Sequence, residues 1–320
     1  MSLDPQTRAL VDQIESSGFP GFSKMTVQQA RDALVQMREL AGPPEPIDTE
    51  DHTLAGPGGD LRVRLYRPET PAPLPALVYF HGGGFVCGSL DTIDGPLRAL
   101  ANRSGCAIAS VDYRLAPEHQ FPAAFEDAVA AVEWLHASVE LGLDSSRIAV
   151  GGDSCGGGLA AAVALAARDR GGPPIAFQFL IYPMLDPDCT SGSQWNFGEG
   201  FLVTRDDLRW FWDHYLPSPE AGRSPWASPL LADDFTGLPP ALIVTAEFDP
   251  LRDEGEAYGA ALRAANVPVQ LIRLDGMIHA CFQMAGVVDR SKRLLETAAI
   301  ALREALAETA LTRSPSGVHA

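Results

Sequence analysis

Short apolar runs alternate with amphipathic helical stretches along most of the chain. The runs are rich in Val, Ile, Leu and Phe at consecutive positions, which is typical of strands buried on both faces. Six runs predict strands, at residues 76–80, 107–113, 147–153, 176–183, 241–249 and 269–275. Helices are predicted between and after them, at about 92–103, 123–141, 155–170, 252–265 and 288–310. This alternation predicts an α/β fold with a mostly parallel central sheet flanked by helices.

Two parts of the N-terminal region follow other patterns. Residues 47–54 and 61–68 alternate polar and apolar side chains, which predicts an antiparallel hairpin at the edge of the sheet. Before them, two amphipathic helices are expected at about 4–17 and 26–41. The second helix begins with Thr26 and carries Gln three residues later, the pattern of a capping box.

Residues 186–237 interrupt the alternation because they contain no strand pattern. Their clearest helix is 204–216, and they contain four of the five tryptophans, Trp195, Trp210, Trp212 and Trp226. A helical insertion between two core strands can lie over the carboxyl edge of the sheet, where ligands of parallel sheets bind. We interpret the insertion as a candidate lid; the alternative is that its aromatic side chains only pack its own core.

Composition narrows the function classes. The formal charge is −17, from 41 acidic and 24 basic residues, so the chain should repel nucleic acid and anionic membranes, although the acidity can also serve solubility alone. There is no uncharged apolar stretch long enough to span a membrane, and the five cysteines form no CxxC pair. Because the N-terminus also lacks the pattern of a secretion signal, we expect a cytoplasmic protein with reduced thiols.

The stretch GGDSCGGG, residues 151–158, places a serine and a cysteine side by side among glycines. No Gly-Lys pair occurs in the chain, which excludes a Walker A loop, and a dinucleotide fingerprint would fall inside the following helix. The spacing Gly-x-Ser154-x-Gly between a strand and a helix instead predicts a nucleophile elbow. There the serine hydroxyl is exposed at a helix N-terminus, which favours developing negative charge. We expect Ser154 to be the nucleophile and Cys155 to contribute only its backbone amide.

The glycine-rich stretch HGGGF, residues 81–85, directly follows a predicted buried strand. Glycines let the chain fold back and present successive amides to an oxyanion. We predict that the amides of Gly83, Gly84 and Cys155 bind the oxyanion. The alternative is a flexible turn without that role, and His81 is interpreted as structural.

A base and an orienting acid should follow the serine in chain order. Asp249 ends one predicted strand, and His279 lies just after the last one, so both should meet Ser154 at the carboxyl edge of the sheet. We predict that His279 is the general base and that Asp249 orients it. Lesser candidates for the acid are Glu247, Asp253 and Glu254.

Several motifs together resemble one family. They are HGGG (81–84), YRLAPEHQFPAAFED (113–127), GDSCGG (152–157), DPLRDEG (249–255) and IHACF (278–282). In this order they are similar to the bacterial hormone-sensitive lipase family of carboxylesterases, which has the α/β-hydrolase fold. The segment 201–216 also resembles that family's cap. The resemblance implies hydrolysis of short- to medium-chain carboxylic esters through an acyl-enzyme, no metal or organic cofactor, and a homodimer. The aromatic residues of the cap predict a small hydrophobic ester as the substrate.

The resemblance also divides the chain. It implies an α/β-hydrolase core at 46–185 and 238–312 and a helical cap at 1–45 and 186–237. Residues 313–320 are expected to be a disordered tail.

The chain departs from the family pattern at three places. Cys155 stands where the family commonly has Ala, and we expect its thiol to be incidental. Gly158 replaces an Asn and should cost the helix roughly 1 kcal/mol. Ala280 and Cys281 replace Gly-Phe after the histidine, and because Cys281 puts a small group where the family has an aromatic one, the sequence leaves the shape of the pocket beside His279 open.

Two other functions stay open. The same triad could hydrolyse amides or transfer acyl groups, because the pocket decides the leaving group. The second alternative is that the protein binds a small molecule without catalysis, as the gibberellin-receptor relatives of this fold do. Those relatives lack the base, so the presence of His279 argues against it.

Overall fold

The computed structural model describes residues 2–307. The predicted tail at 313–320, and the last residues of the helix predicted at 288–310, lie outside the described residues. Within this range the strands form one mixed sheet. They are β1 Asp48–Gly56, β2 Gly59–Arg67, β3 Leu74–Phe80, β4 Ala107–Asp112, β5 Leu143–Asp153, β6 Phe177–Ile181, β7 Ala241–Phe248 and β8 Val269–Ile278.

The sheet has the order β1-β2-β4-β3-β5-β6-β7-β8. The pairs β1–β2 and β2–β4 are antiparallel, so the hairpin predicted from the alternating pattern is confirmed at one edge. From β4 to β8 every pair is parallel. Every residue of β6 and β7 is buried, which explains why these strands are apolar on both faces. The mostly parallel sheet predicted from the sequence is therefore confirmed.

Helices cover both faces of the sheet and also form the N-terminal segment and the insertion. In chain order the α-helices are α1 Pro5–Ser16, α2 Val27–Met37, α3 Asp94–Ser104, α4 Ala123–Ala137, α5 Cys155–Arg170, α6 Gly192–Asn196, α7 Arg205–Tyr215, α8 Arg252–Ala264 and α9 Asp289–Ala305. Apolar residues of α4, α5 and α8 form a core on one face, and those of α3 and α9 form a second core on the other face. The sheet is thus buried between two helical layers.

The N-terminal helical segment, residues 5–41, meets the insertion, residues 186–237, beside the sheet. The Asp207 side chain in α7 accepts hydrogen bonds from the Ser23 amide, at 2.6 Å, and from the Thr204 amide, at 3.0 Å. The second bond completes a capping box at the start of α7, and the capping box predicted at Thr26 is also present. The buried Asp207 carboxylate therefore caps the N-terminus of α7 and also hydrogen-bonds the N-terminal segment to the insertion.

Among residues 2–307, no helix is long and apolar enough to cross a membrane.

Candidate active site

Ser154 lies in a tight turn between β5 and α5. Its backbone has φ +57° and ψ −124°, a conformation that residues other than glycine rarely adopt. A Cβ atom on either Gly152 or Gly156 would collide with the Phe80 carbonyl oxygen of the neighbouring strand. The two glycines of the motif therefore allow strand and helix to approach closely enough to hold this turn. Its backbone is further held by Ile181, whose carbonyl accepts the Ser154 amide at 2.9 Å.

The three predicted triad residues lie together. The distance from His279 Nε2 to Ser154 Oγ is 3.1 Å, and that from His279 Nδ1 to Asp249 Oδ2 is 2.8 Å. Asp249 is fully buried, whereas Ser154 and His279 keep 7% and 5% of their surface exposed. All three follow the carboxyl ends of parallel strands, so the topology brings them to one edge although 125 residues separate Ser154 from His279.

The lesser candidates for the acid are all engaged elsewhere. Glu247 accepts the Gly276 amide at 2.7 Å, and Asp253 accepts the Ser193 amide at 2.7 Å. Glu254 accepts the Leu185 amide at 2.6 Å, and burial raises the pKa of its carboxyl well above its ordinary value. Among these four carboxylates, the described contacts join only Asp249 to His279.

The glycine-rich loop, residues 81–85, lies beside the serine. Gly83 and Gly84 have φ +124° and +63°, and both line the cavity that contains Ser154. A Cβ on Gly84 would collide with the ring of Phe211 from α7. Glycine is therefore required here both by the backbone conformation and by the close approach of the insertion.

Asp153 fastens this loop to the elbow, a contact that sequence reasoning missed. Its Oδ1 accepts the Gly82 amide and the Tyr79 hydroxyl, each at 2.9 Å, and its Oδ2 accepts from Gln283 at 3.0 Å. Burial raises the pKa of the Asp153 carboxyl. One side chain thus joins the loop, the nucleophile turn and the segment after the histidine.

His81 begins the loop and is buried away from the triad. Its Nδ1 lies 2.8 Å from the Gly82 carbonyl oxygen, and its ring stacks on Tyr113 at 4.3 Å. Burial lowers the pKa of this imidazole, so the ring is neutral and Nδ1 donates to the carbonyl. These contacts fit the structural interpretation of His81.

Ser154 and His279 open into a cavity of about 60 Å³. Apolar side chains of three parts of the chain line it. The N-terminal segment contributes Phe22, Leu34, Met37 and Leu40; the insertion contributes Leu202, Val203, Leu208 and Phe211; the core contributes Met184 and Met284. The cavity wall is therefore apolar on every side except at the triad and at Asp153 and Gln283.

The tryptophans of the insertion have a different role. Trp195 is 65% exposed, Trp212 is buried against Phe85, and Trp226 stacks on Phe125 at 5.4 Å. Within the described residues, no tryptophan lines the cavity. Trp212 and Trp226 thus pack against residues outside the insertion and not only within its own core, whereas Phe211 lines the cavity.

The departures from the family pattern are accommodated locally. Cys281 is fully buried and, in the described part of the chain, is not among the cavity-lining residues; its neighbour Ala280 is. Cys281 itself therefore does not form part of the cavity wall. Ala280 has φ +64°, a conformation that glycine adopts without strain. At Gly158 a Cβ would collide with the Met184 carbonyl oxygen, so glycine allows α5 to approach that segment.

Comparisons with known proteins agree with this architecture. Residues 77–283 match a family described as alpha/beta hydrolase fold. The carboxylic ester hydrolase LipN of Mycobacterium tuberculosis is 46% identical over 257 residues, 77% of this chain and 68% of that protein. The ethyl acetate hydrolase of Pseudomonas putida is 38% identical over 96% of this chain and 100% of its own length. Among solved structures, a hyperthermophilic esterase from the archaeon Pyrobaculum calidifontis superposes with a TM-score of 0.90 at 40% identity, covering 96% of this chain and 100% of that one.

Proposed function

Because this chain belongs to the alpha/beta hydrolase fold family, and within it to the hormone-sensitive lipase-like esterases, we propose that Ser154, His279 and Asp249 hydrolyse carboxylic esters through an acyl-enzyme. The chain is an ester-hydrolysing enzyme. The observation that carries the assignment of residues is the continuous hydrogen-bonded series from serine through imidazole to carboxylate.

Asp249 determines which nitrogen of His279 accepts a proton. A carboxylate accepts a hydrogen bond, so the Nδ1 atom 2.8 Å from Asp249 carries the hydrogen. The Nε2 atom is then free to accept the proton of Ser154 Oγ, 3.1 Å away, as the oxygen attacks the ester carbonyl. Asp249 also stabilises the imidazolium that this transfer creates.

The attack places negative charge on the former carbonyl oxygen. We assign the amides of Gly83, Gly84 and Cys155 as its hydrogen-bond donors, because the glycine loop and the N-terminus of α5 converge beside Ser154. One such donor contributes on the order of 3 kcal/mol to lowering the barrier. His279 then protonates the departing alcohol and activates the water that hydrolyses the acyl-enzyme.

The cavity supports small, uncharged esters as substrates. Its volume is about 60 Å³, and its walls are mostly apolar. No lysine or arginine lies among its described lining residues, so nothing there would pair with a substrate carboxylate. A short acyl chain suits this space, and most of its apolar walls come from residues 1–45 and 186–237. We therefore propose that residues 1–45 and 186–237 act as a cap that moves to admit longer esters.

The first test is hydrolysis of p-nitrophenyl acetate and butyrate. Ser154→Ala and His279→Ala should each lower kcat by about 10⁴-fold or more, because the proposed nucleophile and its base act together and neither works without the other. The matched control is Ser228→Ala, a buried serine of the insertion, which should retain at least half of the activity. Retained hydrolysis in Ser154→Ala would show that another residue is the nucleophile.

Two further measurements address the other functions. A fluorophosphonate probe should label the parent chain but not Ser154→Ala, and an unlabelled parent would support a non-catalytic binder. The parent should hydrolyse p-nitrophenyl butyrate with a higher kcat/KM than the matching amide, the p-nitroanilide of butyric acid. The cytoplasmic location and the homodimer stay predictions.

A further inference from the structure

The side chain of Cys155 lies beneath the glycine-rich loop. Its Sγ accepts a hydrogen bond from the Phe85 amide at 3.1 Å, and its thiol lies 3.9 Å from the His81 carbonyl oxygen, within reach for donation. His81 and Phe85 are the first and last residues of the loop that contains Gly83 and Gly84. A single sulfur atom therefore contacts both ends of the segment that presents two of the proposed oxyanion donors.

A protonated thiol can accept a hydrogen bond from the Phe85 amide and donate one to the His81 carbonyl oxygen. Burial raises the pKa of Cys155 to about 12, so the group stays protonated and can donate while its sulfur accepts. The Tyr113 hydroxyl lies 3.7 Å from the same sulfur and donates to the His81 carbonyl at 2.7 Å. The thiol is thus part of a buried polar cluster and does not depend on solvent.

The loop has a conformation that needs such support. Its last residue, Phe85, is not glycine, yet its φ is +63°. Residues other than glycine adopt this conformation only at a cost in free energy, because the Cβ atom crowds the backbone. The Phe85 carbonyl accepts the Ala116 amide at 2.9 Å, and its ring stacks on Tyr215 of α7 at 3.8 Å. The amide of Phe85 has Cys155 Sγ as its acceptor among the described residues, so removing the sulfur leaves a buried donor unpaired.

Cys155 is separated from the nucleophile's chemistry. The residue is fully buried and, in the described part of the chain, is not among the cavity-lining residues, and His279 Nε2 contacts Ser154 Oγ. The thiol therefore cannot compete as the attacking group. The expectation that the thiol is incidental nevertheless overlooks its contacts with the loop.

We propose that the Cys155 thiol is a positioning group that holds both ends of the 81–85 loop and so places the Gly83 and Gly84 amides for the oxyanion. The inference rests on the proposed function, because it concerns the transition state of that ester hydrolysis. The same residue then serves twice, since its backbone amide is the third proposed donor. A group that positions oxyanion donors affects kcat more than KM, because the oxyanion exists only in the transition state.

The test compares Cys155→Ala with Cys155→Ser in steady-state hydrolysis of p-nitrophenyl butyrate. The Ala variant should lose about tenfold in kcat with KM unchanged within twofold. The Ser variant should recover part of that loss, because a hydroxyl can accept from the Phe85 amide and donate to the His81 carbonyl. The matched control is Cys106→Ala, a buried cysteine that contacts Ser104 and not the loop, which should keep kcat within twofold.

A kcat within twofold of the parent in Cys155→Ala would overturn the proposal, as would an equal loss in Cys106→Ala or a loss confined to KM. If Cys155→Ala does not fold, Cys155→Gly, which also lacks the thiol, replaces it, and its binding of butaneboronic acid is compared with that of Cys155→Ser. This ligand forms a tetrahedral serine adduct, so the variant without a side-chain donor and acceptor should bind it more weakly than Cys155→Ser, and equal affinities would overturn the proposal. These outcomes are distinct from failure of the proposed function, in which Ser154→Ala itself would retain activity.

Discussion

Two regions enclose the cavity, and they hold their side chains in different ways. On the core side, polar groups are fixed by short hydrogen bonds, as where Asp153 accepts both the Gly82 amide and the Tyr79 hydroxyl. On the side of the proposed cap, apolar groups are held by ring packing, as where Phe211 meets Phe22 with centroids 5.5 Å apart. Directional bonds specify one geometry, whereas apolar contacts tolerate several.

This difference separates rate from selectivity. The core side presents the proposed nucleophile, base and oxyanion donors, whose positions decide the barrier. The cap side presents only the walls against which a substrate packs. We therefore expect core substitutions to lower kcat for all substrates and cap substitutions to change which substrates are preferred.

Of the changes that test this comparison, the largest effect is expected at Gly84, where the two regions touch. Gly84→Ala places a methyl group against the ring of Phe211 at a residue with φ +63°, so the loop must move and its donor is displaced. Loss of one oxyanion donor lowers kcat by about 10²- to 10³-fold. The control is Gly200→Ala in the insertion, which has φ +79° but no atom within 4 Å of the added methyl. Similar losses in both variants would show that backbone strain, and not the oxyanion loop, is responsible.

A smaller effect is expected at Phe211 itself. Phe211→Ala enlarges the cavity beside the serine and removes the packing on Phe22, so longer acyl chains should gain relative to short ones. The ratio of kcat/KM for p-nitrophenyl octanoate to that for the acetate should rise about five- to tenfold. Trp195→Ala, which truncates a 65% exposed side chain of the same insertion, is the control and should leave the ratio unchanged. An unchanged ratio in Phe211→Ala would place the selectivity on the core side.

The smallest effect concerns Glu254 of the core, which accepts the amide of Leu185, the residue directly before the insertion. Burial raises the pKa of this carboxyl in the folded protein, so the unfolded chain releases the proton at a lower pH. The free energy of unfolding should therefore fall as pH rises from the unfolded pKa, about 4.3, toward the folded one. Glu254→Gln keeps an acceptor without this titration.

The measurement is Tm between pH 5 and pH 8 for the parent, Glu254→Gln and the exposed Glu296→Gln. The decline in Tm over this range should be about 2 °C smaller for Glu254→Gln, whereas Glu296→Gln should follow the parent. A parallel decline in all three proteins would mean that Glu254 does not contribute to the pH dependence.

Much of this molecule can be predicted from local patterns. Runs apolar on both faces predict six parallel strands because such strands are buried between helices, and the structure confirms them at 74–80, 107–112, 143–153, 177–181, 241–248 and 269–278. The triad residues are predictable because each of Ser154, Asp249 and His279 follows a strand. In a parallel sheet the carboxyl ends of the strands share one edge, so chain order alone brings them together.

The rest depends on contacts that no local pattern encodes. The bond from Gln283 to Asp153 spans 130 residues, and that from Phe85 to Cys155 spans 70. The tryptophans marked the insertion as unusual, yet only packing decided that Phe211 faces the cavity. Sequence alone thus determined the fold and predicted the nucleophile and the order of the triad, because periodicity and chain order are local or topological. Tertiary structure decided how the loop is held and what lines the cavity, because both depend on the distances between side chains of separate elements.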